Sequence, residues 1–265
     1  MSASRSIAIS DPRFERDHLR YITVKSENLK GRGDISVFVP PGDGYRNLPV
    51  VLLLHGVYGS HWAWTHLAGV HLQLMEGINK GLLKPMVLVM PSDGLWGDGS
   101  GYMPHNELDF EQWIMKDVIG TITNSIKETS SDSTLFIAGL SMGGYGALRL
   151  GAKYGSRFKA VSGLSSMTDA RQLKNFSEDD IKGLLSENMA ELSLFDIIIR
   201  NRNVLPKIRF DCGESDPLVE HNRVLHQQML EHNIVHTYQE FSGSHDWAYW
   251  EEHIFKTLLF FNDQL

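Results

Sequence analysis

Short, unbroken apolar runs alternate along this chain with stretches whose apolar residues recur at helical spacing. The runs "VVLLLH" (50–55), "MVLVMP" (86–91) and "TLFIAG" (134–139) suit central strands covered on both faces. Before them, "LRYITVKS" (19–26) and "DISVFVP" (34–40) alternate apolar with polar residues, as half-exposed strands do, around a turn containing Gly31 and Gly33. Later strands are expected at "KAVSGLSS" (159–166), "KIRFDCG" (207–213) and "HTYQEF" (236–241). Helical spacing appears over 70–79 and, more clearly, over 109–128, where Phe110, Trp113, Ile114, Val118, Ile122 and Ile126 share one face. A further helix follows Ser141, and a last one runs to about residue 262. Strands alternating with helices predict βαβ units, a mainly parallel sheet and helices on both faces, in one domain over 1–265. One stretch breaks the rhythm. Residues 167–205 hold helical patches and mixed charge without a strand, which fits either a lid over the strand ends or a crossover with extra helices.

Composition narrows the function classes. A chain of 265 residues can bury one substantial core, and 42% hydrophobic with 22% charged residues is ordinary for a globular protein. The net charge of −7 argues against a nucleic-acid surface, and the densest basic cluster (Arg200, Arg202, Lys207, Arg209) is sparse. No run is apolar and long enough to span a membrane, and the N-terminal residues lack the apolar core of a signal peptide. Cys212 is the one cysteine, so no intrachain disulfide forms and the expected location is cytoplasmic.

Candidate chemistry centres on "FIAGLSMGGYGALRL", where an apolar run meets a glycine-rich helix start through Ser141. Gly-x-Ser-x-Gly between strand and helix is the pattern of a nucleophile elbow, whose tight turn points the serine hydroxyl out of the sheet. Gly139 and Gly143 lack a Cβ and let strand and helix approach closely. A serine needs a base, and the base needs an orienting acid, here in the chain order serine, acid, histidine. "CGESDPLVEHN" leaves a strand and offers Glu214 and Asp216; Asp216 is preferred because it lies further into the loop, before Pro217. Asp211 lies within the strand and Asp246 follows the histidine, which makes both weaker. "FSGSHDWAYW" offers His245 after the last strand. His221, His226, His232 and His253 read as solvated, and His55 as structural. The spacing of His232 and His236 does not make a metal site, so neither metal nor cofactor is expected. Oxyanion donors are expected from the backbone N–H of Met142 and from "HGVYGSHWAW", through Val57 or Tyr58. Tyr58, Trp62, Trp64, Trp96, Tyr102 and Trp247 are the aromatic residues placed to shape a substrate pocket, packing being the alternative role for each.

The blocks "VFVPPG", "LPVVLLLHGVYGSHWAW", "GLSMGGYGALRL", "CGESDPLVEHN" and "GSHDWAYW", in that order, resemble the esterase family of α/β-hydrolases. That family includes tributyrin esterases, S-formylglutathione hydrolases, feruloyl and acetyl-xylan esterases and mycolyltransferases. The similarity runs from about residue 19 to 261 and is greatest to the small tributyrin-esterase type. It implies an α/β-hydrolase fold and hydrolysis of short acyl esters without a cofactor. It also implies a triad at Ser141, Asp216 and His245 with donors at Val57 and Met142. Small relatives often associate, so a homo-oligomer accords with the resemblance. Thioester hydrolysis, a feruloyl or acetyl-xylan substrate, or acyl transfer would use the same triad, and a silent binding protein on this fold is the non-enzyme alternative.

Overall fold

The computed structural model describes residues 6–265, so the first five residues of the N-terminal segment read above lie outside it. Its strands are β1 (Ile7–Ile9), β2 (Leu19–Ser26), β3 (Gly31–Phe38), β4 (Val50–Leu54), β5 (Val87–Pro91), β6 (Pro104–His105), β7 (Leu108–Asp109), β8 (Leu135–Leu140), β9 (Ala160–Leu164), β10 (Lys207–Gly213) and β11 (Thr237–Phe241). All but the β6–β7 hairpin join one nine-stranded sheet, in the order β1-β2-β3-β5-β4-β8-β9-β10-β11. The pairs along β1-β2-β3-β5 are antiparallel and those from β5 to β11 are parallel, so the sheet is mainly parallel, as predicted. Gly31 and Gly33 lie inside β3 rather than in the turn before it. The reason is packing: a Cβ on Gly33 would overlap the Trp113 ring, and Lys30, at φ 48°, makes the turn instead.

The helices are α1 (Ala63–Leu67), α2 (Val70–Asn79), α3 (Phe110–Gln112), α4 (Ile119–Ser125), α5 (Met142–Lys153), α6 (Lys182–Glu187), α7 (Leu194–Arg200), α8 (Val219–Glu231) and α9 (Trp247–Asn262). The periodic stretch at 109–128 is helical to Ser125, but its centre, Trp113–Val118, winds as a π-helix. There Asp117 is buried and accepts from Ser26 Oγ at 2.5 Å and Asn28 Nδ2 at 2.9 Å. Successive β4 residues face opposite layers. Val50, Leu52 and Leu54 pack with the α3–α4 stretch, α5, α7 and α8, while Val51 and Leu53 pack with α1, α2 and α9. The central parallel strands β4, β5 and β8 therefore have both faces covered, which explains their apolar sequences, whereas the edge strand β11 is part-exposed and polar. Their carboxyl ends meet along one rim, where ligands of such sheets bind.

The 167–205 stretch contains α6 and α7 with 3-10 turns at Ala170–Asn175 and Met189–Glu191, and no strand of the main sheet. Its neck is closed. Asp169 bridges Ser193, Ala170 N–H donates to Leu192 O at 2.9 Å, and Leu194 N–H donates to Thr168 O at 2.9 Å. Beside the neck, Tyr145 of α5 donates its hydroxyl to Glu191 O at 2.8 Å. Buried Arg149 pairs with Glu111 and Glu191, and Lys153 reaches both carboxylates.

Candidate active site

Ser141 stands between β8 and α5 with φ 52° and ψ −118°. A serine rarely adopts this conformation, and it is held here by close packing on both sides. A Cβ on Gly139 would overlap the backbone of Gly143, and one on Gly143 would overlap the carbonyls of Leu54 and His55. The strand and helix thus touch through bare backbone, in a tight strand–turn–helix with Ser141 at its apex. Ser141 N–H donates to Leu164 O at 3.0 Å, which ties the turn to the neighbouring β9.

His245 follows β11 and brings Nε2 to 2.9 Å from Ser141 Oγ. Its Nδ1–H donates to Asp216 Oδ2 at 2.8 Å. The other oxygen of Asp216 accepts Leu218 N–H at 2.7 Å, which fixes the carboxylate at the end of the β10 loop. Asp216 is buried while Glu214 is exposed, so the structure separates the two acids that the loop offers. The weaker candidates have other partners. Asp211 pairs with Arg209 and accepts from Tyr249 Oη at 2.7 Å, and Asp246 caps α9 by accepting Tyr249 N–H at 3.0 Å. Burial raises Asp211 above the usual carboxylate range, partly offset by the Arg209 guanidinium.

The loop after β4 approaches Ser141 from the other side. His55 is buried, donates from Nδ1 to Gly56 O at 2.7 Å and accepts Asp93 N–H on Nε2 at 3.0 Å. Those two bonds set its tautomer and make it a brace for the loop, in keeping with the structural role read from sequence. A Cβ on Gly59 would strike the His55 ring, so only glycine fits where the loop folds back. Tyr58 N–H donates to Asp98 O at 3.2 Å and Gly59 N–H to Gly56 O at 3.0 Å. Tyr58 N–H therefore has a partner already, and Val57 becomes the better of the two predicted donors. Met142 opens α5, where first-turn N–H groups have no partner inside the helix.

A serine, histidine and aspartate in hydrogen-bonded series on the rim of such a sheet constrain the kinship of the chain, and sequence comparison decides it. The profile of the family described as "Putative esterase" matches residues 26–261. The chain belongs to that family. It is a carboxylic ester hydrolase. An acetyl esterase of Caldicellulosiruptor saccharolyticus is 27% identical over 226 residues, 78% of this chain and 81% of that protein. Among solved structures, an S-formylglutathione hydrolase of Staphylococcus aureus superposes with a TM-score of 0.78 at 18% identity, over 96% of this chain and 98% of the other. A ferulic acid esterase gives 0.79 at 20% identity, over 98% of each chain. These two likenesses establish the α/β-hydrolase fold.

In this esterase a cavity of about 280 Å³ opens on Ser141 and His245. Tyr58 and Trp247 line it, as expected, and Trp62 does too. Three predicted pocket residues do not. Trp64 is buried beneath the loop, donates Nε1–H to Leu54 O at 3.0 Å and packs edge-on against Trp247. Tyr102 is fully buried and donates its hydroxyl to His55 O at 3.0 Å. Trp96 packs against His105 at 4.5 Å between ring centroids. Each stabilises a loop rather than bounding the cavity. Residues not singled out from sequence complete the wall, notably Leu67, Leu140, Phe176 and Trp250. His253 is also corrected: it is buried against Phe241 and Tyr249 rather than solvated. Cys212 is buried in β10, and burial pushes its thiol well above the usual range.

Proposed function

We propose that this esterase hydrolyses short-chain acyl esters through an acyl-enzyme on Ser141. The observation that carries the reading is the unbroken series Ser141 Oγ, His245 and Asp216, with links of 2.9 and 2.8 Å. His245 takes the serine proton as Oγ attacks the ester carbonyl. Asp216 holds the imidazole in the required tautomer and stabilises the imidazolium. Backbone N–H groups of Val57 and Met142 receive the oxyanion. The imidazolium then protonates the departing alcohol, and water releases the acid with the same base. The reading needs no cofactor.

A small acyl group is favoured by the size and lining of the cavity. Trp62, Ala63, Leu67, Leu140, Trp247 and Trp250 leave about 280 Å³ and offer no charged group to an acyl chain. The acetyl esterase relative supports the same choice. A cytoplasmic location and self-association belong to this reading, resting on the single cysteine and on the family resemblance; sedimentation velocity checks the second.

The test is hydrolysis of p-nitrophenyl esters of increasing acyl length, with wild type beside Ser141→Ala. Turnover fastest from acetate to butyrate, and abolished in the variant, is expected. Near-normal turnover by Ser141→Ala would remove the serine from the mechanism. A maximum at long acyl chains would remove the small pocket.

A further inference from the structure

His245 is fixed in its own ring plane by hydrogen bonds to Asp216 and Ser141. Neither bond opposes tilting out of that plane. Aromatic rings supply the missing restraint. Trp250, on α9, meets His245 at 5.1 Å between centroids and 86° between planes. Phe176 stacks against it at 5.1 Å and 22°. Trp250 is 6% exposed and belongs to a long helix packed on the sheet, so its position is set by the core. Phe176 arrives from the closed loop of the 167–205 stretch, directly after the 3-10 turn at Ala170–Asn175.

That loop grips the rim immediately beyond Phe176. Asp98 N–H donates to Asp179 Oδ2 at 2.5 Å, while Asp98 Oδ2 accepts Glu178 N–H at 2.9 Å and Ser177 Oγ–H at 3.2 Å. Gly97, at φ 50°, allows the approach, because a Cβ there would overlap the Asp179 carboxylate. Asp98 O in turn accepts the Tyr58 N–H of the loop proposed to bind the oxyanion. The ring of Phe176 is therefore held between the neck on α5 and a latch on the oxyanion side.

We propose that Phe176 is a positioning residue for His245, acting through its aromatic face. The inference rests on the reading of His245 as the base. The ring blocks tilting of the imidazole and keeps water from one of its faces. It also presents a negative π surface to the imidazolium that forms as Ser141 attacks, at a separation within the range of cation–π attraction. Because the full charge appears during the reaction, the benefit falls on kcat more than on KM.

The test compares Phe176→Ala, Phe176→Leu and Phe176→Tyr by kcat and KM on p-nitrophenyl acetate. It also reads the downfield proton resonance of the His245 Nδ1–H. A loss in kcat of roughly tenfold is expected for alanine, at nearly constant KM, and a loss of about threefold or more for leucine. Tyrosine should restore kcat to within about twofold. The resonance should broaden in the alanine and leucine variants and stay sharp in tyrosine. Leucine matching wild type in both readouts would overturn the proposal, since apolar bulk alone would then suffice. A change confined to KM would also overturn it, leaving Phe176 as cavity wall only. If wild type hydrolyses no ester and its serine resists a fluorophosphonate, the proposed function fails, and the resonance alone decides whether Phe176 restrains the ring.

Discussion

Below the cavity, Ser141, Asp216, His245 and the Val57 loop each leave the sheet within a few residues of a strand end. Above it, Phe176 is delivered by a loop whose neck, anchor and latch pair residues far apart in the chain. The floor inherits its geometry from parallel strands that the core already fixes. The roof has no such template, and its position is set by a few polar contacts to α5 and to the Asp98 loop. Chemistry that tolerates little displacement thus sits on the sheet, and the adaptable boundary of the cavity sits on the loop.

The sharpest way to break this contrast is at the floor. Asp216→Asn should lower kcat by about 10³–10⁴-fold, because the amide favours the wrong histidine tautomer, while Glu214→Gln stays within about twofold. Steady-state kinetics on a short-chain ester checks both, and a large loss in the Glu214 variant would reassign the acid. Next is the anchor of the roof. Arg149→Met leaves Glu111 buried with one cation fewer, and a loss of about 3–5 kcal/mol in stability is expected from urea unfolding. A loss under about 1 kcal/mol would show that the roof does not depend on this network.

Leu67→Ala tests the cavity wall more gently. Widening the pocket should raise the hexanoate-to-acetate ratio of kcat/KM by about fivefold, since one methylene in an apolar pocket is worth about 1–3 kcal/mol. An unchanged ratio would place the acyl chain elsewhere. The smallest effect lies beneath the floor. His253 is held below the usual histidine range by burial, with Asp211 and Glu252 partly opposing and Lys256 and Arg209 adding to the shift. It is neutral in the folded state, so its stability contribution is full above about pH 6.5 and is lost as pH falls from there through its folded value. His253→Phe should flatten the fall of melting temperature between pH 7 and 5. It should also add about 1 kcal/mol at pH 8, because both ring nitrogens are buried without a hydrogen-bond partner. His61, His71, His105 and His236 are lowered by burial as well and keep part of the slope. A slope identical to wild type would exclude His253 from it.

The same contrast decides what the sequence made legible. Strands β2, β4, β8 and β10 were readable because burial on one or both faces dictates their composition. Ser141 and Asp216 were singled out because each follows such a strand, and His245 because it follows the strand expected at 236–241, although that strand is half-exposed. Trp64 and Tyr102 were misjudged because an aromatic residue beside a glycine loop carries no signal of which way it faces; the carbonyls of Leu54 and His55 turn both inward. Helix α1 escaped notice because it has five residues and no capping side chain. Phe176 had no signal at all. Its role depends on Asp98 meeting Ser177 and Asp179, a contact that no local pattern encodes.

The backbone at Ser141 has a consequence for how activity is inherited. A positive φ with this ψ suits glycine, so Ser141→Gly would relax the turn, by about 1–3 kcal/mol, while deleting the hydroxyl. On the proposed mechanism a sturdier and inert protein is one amino-acid replacement away, and fold stability alone would favour it. On that mechanism, the strained serine is kept for its hydroxyl and not for the stability of the turn. Ranking variants at this position by thermal robustness would select against the residue proposed as the nucleophile.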